Sequence, residues 1–108
     1  MIRSRKLLDY AKGEACVCCG KQDKTVVAAH YQGLRQHVFG KGGSIKPHDI
    51  VCAHLCMTCH AVFDKLEAGG AAEYPDKWTR KLVHSEEFLF RILQTIIKLM
   101  HEGKLVVK

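Results

Sequence analysis

Six cysteines carry the first chemical signal in this 108-residue chain, at positions 16, 18, 19, 52, 56 and 59. Cys16-Val-Cys-Cys19 and Cys56-Met-Thr-Cys59 are two Cys-x-x-Cys pairs. Each pair offers two thiolates from one tight turn, and two such turns close a tetrahedral zinc sphere. Gly20 directly after Cys19 suits a turn whose backbone N–H groups point at sulfur. Cys16, Cys19, Cys56 and Cys59 are therefore expected to hold a structural Zn²⁺. Cys18 and Cys52 are left over and read as small buried hydrophobes. The N-terminus is basic but has no long apolar stretch and no cleavage-site pattern, so a cytoplasmic location is expected. Thiols stay reduced there, which argues against disulfides. A thiol redox enzyme fits poorly, because zinc-bound thiolates are closed to that chemistry and no βαβ pattern surrounds either pair.

The elements that must position these groups belong to one small domain, residues 1–108. Hydrophobic residues make up 47% and charged residues 26%, which excludes a fibrous or disordered chain, and no apolar run is long enough to cross a membrane. The net charge is +6 and uneven: nine basic and four acidic side chains in residues 1–60, eight and seven in 61–108. A basic half suggests a polyanionic partner, nucleic acid first. Arg3, Arg5, Lys6, Arg35, Lys41 and Lys46 are the candidate phosphate contacts, although each alone reads more readily as solvated surface than as a contact.

The pattern predicts an α+β fold. Residues 4–11 form a short helix with Ser4 as its N-cap. Thr25 to His30 is a short strand, β-branched at its start. Tyr31 to His48 reads as a long glycine-rich loop carrying Arg35, Lys41 and Lys46. Asp49 to Leu55 resumes a strand-like pattern, and a helix follows the second knuckle over His60 to Glu67. Ala68 to Ala72 breaks it. Asp76 caps a short helix containing Trp78, and Ser85 caps the longest helix, which runs to about His101 with Gly103 as its stop. Leu89, Ile92, Leu93, Ile96, Ile97 and Met100 recur at helical spacing on one face. That stripe is core or, because a small zinc domain has little with which to cover it, a homodimer seam.

The order knuckle, strand ending in Ala29-His30, basic loop, Pro47-x-Asp49-Ile50, then Cys56-x-x-Cys59-His60 and Asp64 resembles the zinc-containing HNH, or ββα-metal, endonucleases, and within them the YbcO-like phage and prophage group. The resemblance spans about residues 5–67 and leaves the C-terminal helical extension, about 75–102, outside. It implies a zinc-bound treble-clef core and metal-dependent hydrolysis of DNA phosphodiesters, in a phage recombination or DNA-processing setting inside a bacterial host. It further implies that His30 is the general base and His60 a ligand of a catalytic Mg²⁺, Mn²⁺ or similar ion. Asp64, four residues after His60, ligates that ion or orients His60. Asp49 ligates it or holds the loop that positions His30. The roles ask for these residue types because a neutral imidazole titrates in the range a base needs, and a dication offsets charge developing on phosphate. Many HNH enzymes place an acidic metal ligand immediately before the base, where this chain has Ala29; His37, His48 and His54 are the candidate substitutes. His84 and His101 lie outside the matched region and read as surface residues.

Two other classes compete. A non-catalytic zinc module that binds nucleic acid needs the knuckles and the basic half but neither His30 nor His60. An assembly factor would use the apolar helical stripe.

Overall fold

The structure, a computed structural model, describes residues 2–42 and 45–106. Gly43 of the expected loop lies outside the described residues. At the centre, β1 (Val27–His30) and β2 (Cys52–Leu55) pair antiparallel, with Val27 opposite Leu55 and His30 opposite Cys52. A two-stranded ribbon is marginal by itself. Here it is covered, and all four residues of β2 are buried. β1 begins two residues later than the sequence suggests. Thr25 is drawn into a turn instead: its hydroxyl donates to Asp23 at 2.6 Å, and its oxygen accepts the Met57 N–H at 3.0 Å.

Helix α1 (Arg5–Asp9) starts where Ser4 Oγ accepts the Leu7 N–H at 3.2 Å. Helix α2 (Met57–Asp64) begins earlier than expected, with Cys56 as its N-cap. The second Cys-x-x-Cys therefore lies across the first turn of α2, and His60 and Asp64 follow on successive turns. Residues Ala68–Glu73 form a tight 3-10 segment broken at Gly69 and Gly70, both left-handed, which agrees with the expected break.

The largest difference from expectation is α3 (Lys77–His101), a single helix where two were read. Asp76 caps it by accepting the Thr79 N–H at 2.7 Å, and no glycine or proline interrupts the following residues. Ser85 is not a cap. It sits buried inside α3, and its Oγ accepts the Leu34 N–H at 2.9 Å. The core-facing side consists of His84, Ser85, Phe88, Ile92, Thr95 and Leu99. The expected stripe is thus split. Ile92 is buried and Leu89 and Ile96 pack against the core, whereas Leu93 and Ile97 are more than half exposed. The polar members of the inner face are tolerated because each has a partner. Thr95 Oγ1 accepts the His54 N–H at 3.1 Å and donates to the Arg91 carbonyl at 2.9 Å. His84, expected at the surface, is buried and donates from Nε2 to the Phe63 carbonyl at 2.8 Å. Tyr31, Phe63 and Phe88 form the aromatic centre of this core, with ring centroids 5.4 Å apart for Tyr31–Phe88 and 4.7 Å for Phe63–Phe88. No helix among the described residues is long and apolar enough to cross a membrane.

Candidate metal centre and adjoining cleft

Residues 16–21 form a tight turn, closed by the Gly20 N–H on the Cys16 carbonyl at 2.8 Å and the Cys16 N–H on the Lys21 carbonyl at 2.9 Å. Gly20 makes the turn possible by adopting φ of 80°. The Val17 N–H bonds the His54 carbonyl at 3.0 Å and ties the turn to β2. β2 then delivers Cys56 straight into α2. The result is a cluster of four sulfurs, from Cys16, Cys19, Cys56 and Cys59, all within 4.8 Å of one another. Cys19 Sγ and Cys56 Sγ are 3.7 Å apart. A tetrahedron with Zn–S bonds of about 2.3 Å has edges of about 3.8 Å, so the cluster has the dimensions to hold a metal such as zinc. Burial disfavours the Cys16 thiolate, but backbone N–H groups of Cys19, Cys56 and Cys18 outweigh it and bring that thiol down to about 7. Cys59 is pushed up by burial and by its sulfur neighbours. The Cys16 thiolate is favoured while Cys19 and Cys59 are both raised, a resistance to ionisation that a bound dication would relieve. Of the remaining cysteines, Cys52 is buried, its thiol raised to about 12 by desolvation, and Cys18 packs partly against the core.

An open cleft of about 710 Å³ is lined by His30, Gln32, Gln36, Lys41, Lys46 and His60, among others. His30 arrives from the end of β1 and His60 from the second turn of α2, so the metal cluster and the sheet together set the distance between them. His30 Nε2 lies 2.9 Å from Asp49 Oδ1. Asp49 is buried and accepts two further bonds, from Arg3 Nη1 at 3.1 Å and from the Ser4 N–H at 2.7 Å. Desolvation opposes its charge, but the bonds from His30, Ser4 and Arg3 win and hold the carboxyl below its usual range. An ionised Asp49 can only accept, so the proton of a neutral His30 ring resides on Nε2 and the lone pair on Nδ1.

His60 Nε2 is 3.8 Å from Asp64 Oδ1, both partly exposed on α2. Among the described residues, only the four cysteines gather into a group of three or more metal-ligating side chains. Asp49 thus stands with His30, not in a preformed ligand set with His60 and Asp64. Lys41 and Lys46 line the cleft; Arg35 is exposed beside the 3-10 turn Gln36–Phe39 and is not part of the lining. Arg3 is committed elsewhere: besides Asp49 it donates to the Pro47 carbonyl and the Lys46 carbonyl, each at 2.5 Å. None of His37, His48 and His54 lines the cleft. His48 Nδ1 accepts the Ile2 N–H at 2.7 Å, and His54 is buried under α3. Sequence reasoning missed the clasp of residues 2–4 on residues 46–49, because nothing local in Ile2-Arg3-Ser4 announces a partner more than forty residues away. It also passed over Gln32 and Gln36, whose amides carry no motif.

What this defines is a small α+β protein with a four-cysteine cluster able to hold a metal. Comparison with known proteins adds no identity: no family model, no curated protein and no solved structure matches the chain.

Proposed function

We propose that the protein is a zinc-stabilised, metal-dependent DNA endonuclease with a treble-clef core of the HNH type. The observation that carries this reading is that His30 and His60, on separate elements, line one open cleft with Lys41 and Lys46, next to a four-cysteine cluster. His30 Nδ1 takes a proton from water, and the resulting hydroxide attacks phosphorus as the 3′ oxygen leaves. Asp49 holds the ring in the required tautomer. The lysines seat the phosphates, which positions a strand without reading its sequence. A divalent ion held by His60, with Asp64 as co-ligand or as the group orienting it, would supply charge stabilisation to the phosphate and the leaving oxygen; hard cations commonly complete such sparse protein ligand sets with water and substrate. The test is cleavage of plasmid and branched DNA in Mg²⁺ or Mn²⁺ by wild type and His30→Ala, with zinc content measured in both. Equal cutting by a zinc-replete His30→Ala protein rejects the assignment.

One observation favours the rival, a zinc module that binds nucleic acid without cutting it: among the described residues, His60 and Asp64 have no third ligating side chain beside them. That reading requires affinity that falls steeply with salt and no cleavage in any divalent metal.

A further inference from the structure

A second open pocket of about 230 Å³ adjoins the large cleft, and Gln32 and Gln36 line both. Its remaining lining comes from Gly33, Leu34, Leu66, Lys81, His84 and Ser85. We propose that this compartment receives a single unpaired nucleobase from the strand whose phosphates occupy the larger cleft. The inference rests on the nuclease reading for the strand's path, and adds the class of substrate.

The chemistry of the walls selects a base over a phosphate. Leu34 and Leu66 supply apolar faces against which a flat ring can lie. Two neutral amides, a hydroxyl and an imidazole supply mixed donors and acceptors, as an aromatic heterocycle's edge requires, whereas a phosphate asks for converging cations. His84 and Ser85 are more than nine-tenths buried, and each already spends one polar atom on the fold. His84 donates from Nε2 to the Phe63 carbonyl, which leaves Nδ1 as the ring's acceptor. Ser85 Oγ accepts the Leu34 N–H, which leaves its hydroxyl proton to donate. Burial lowers the His84 pKa and so favours the neutral ring that can accept. Gly33, also in the lining, packs so close against the Tyr31 ring that no Cβ fits between them. Among the described residues Lys81 is the one cation of the lining, suited to a phosphate flanking the inserted base.

A regular duplex keeps its bases stacked and paired and cannot fill this compartment. A single strand, a branch point or a mismatch can, at little unstacking cost. The experiment uses the zinc-loaded full chain without added Mg²⁺ or Mn²⁺, and reads fluorescence anisotropy with three probes: a labelled thymidine oligonucleotide, the same backbone with abasic sites, and a paired duplex. The base-bearing single strand is expected to bind at least about tenfold more tightly than the abasic one. Leu34→Trp, which fills the cavity, is expected to bring it down to the abasic level, and Gln32→Ala, an exposed position that leaves the core intact, to lower it less. Equal affinity for base-bearing and abasic strands overturns the proposal, as does a full base preference in a folded Leu34→Trp protein. Because no cleavage is read, the two readings separate. Equal affinities in a protein that cuts plasmid reject only the base pocket; a base preference in a protein that cuts nothing supports the pocket and rejects hydrolysis.

Discussion

Asp49 accepts from His30 Nε2 at 2.9 Å and, through its other oxygen, from the backbone of Ser4 at 2.7 Å. One buried carboxylate therefore ties the histidine at the end of β1 to the N-terminal segment. Replacing it with asparagine keeps the shape but puts a donor or a neutral acceptor where an anion stood, and the His30 tautomer is no longer fixed. Asp49→Asn is expected to slow DNA cleavage by about 10-fold or more, and His30→Ala by about 10²- to 10⁴-fold. Asp49→Ala should also destabilise the fold by about 2–4 kcal/mol, since three donors lose their acceptor. Cleavage rates and urea unfolding of zinc-replete proteins check all three. A fully active Asp49→Asn would show that the tautomer does not matter.

The four-cysteine cluster makes a separate prediction. α2 starts at Cys56 and the 16–21 turn docks on β2, so the sulfurs are the junction of three elements. With a sheet of only two strands, metal binding should supply a large share of the folding energy. Chelation is expected to lower the melting temperature by more than 10 °C, roughly the effect of 2 kcal/mol or more on a domain of this size. Cys59→Ser should abolish stoichiometric zinc, while Cys52→Ser should retain it. Metal analysis with thermal unfolding reads both, and an unchanged melting curve after complete zinc removal would refute the structural role.

How much of this was legible in the sequence follows from how local each signal is. The cysteine pairs were readable because two thiols on one turn are a covalent-range pattern, and the sulfurs of Cys16, Cys19, Cys56 and Cys59 do cluster. The α+β class and the short helix capped by Ser4 were readable for the same reason. The extent of α3 was not. Ser85 carries the chemistry of an N-cap, but a tertiary partner, the Leu34 N–H, claims its oxygen. His84 looked like surface because only the packed fold reveals the Phe63 carbonyl above it. Asp49 could be read as a metal ligand or as a positioning group, and only the geometry puts it on His30.

Tyr31 offers a test of the core. Its ring is fully buried between Phe39 and Phe88, yet among the described residues its hydroxyl has no hydrogen-bond partner. An unpaired buried hydroxyl costs stability, so Tyr31→Phe is expected to stabilise the protein by about 1 kcal/mol. Gly33→Ala acts in the opposite sense: its new Cβ would overlap the same ring, for a loss of about 1–3 kcal/mol. Urea unfolding of the two variants reads both signs, and destabilisation by Tyr31→Phe would mean that the hydroxyl is satisfied in solution.

His54 sets a pH dependence. The ring is 1% exposed beneath α3, and its Nδ1 has no hydrogen-bond partner among the described residues. Burial, reinforced by the nearby charge of Lys98, lowers its pKa from 6.5 to about 4. Above pH 6.5 the ring is neutral in both the folded and the unfolded chain and contributes no pH dependence. As pH falls below 6.5, the unfolded chain takes up the proton first, so stability declines until the folded ring also titrates near 4. The gap corresponds to roughly 3 kcal/mol in total. His54→Leu removes the titrating group but not the backbone N–H that bonds Thr95, so it should lose this share of the acid sensitivity. Proton competition for a metal held by the four cysteines would weaken both proteins alike, and the informative quantity is the difference between their urea midpoints from pH 7.5 to 4.5. That difference should move steadily in favour of His54→Leu as pH drops; parallel curves would mean that His54 is already protonated, or hydrated, in the native protein.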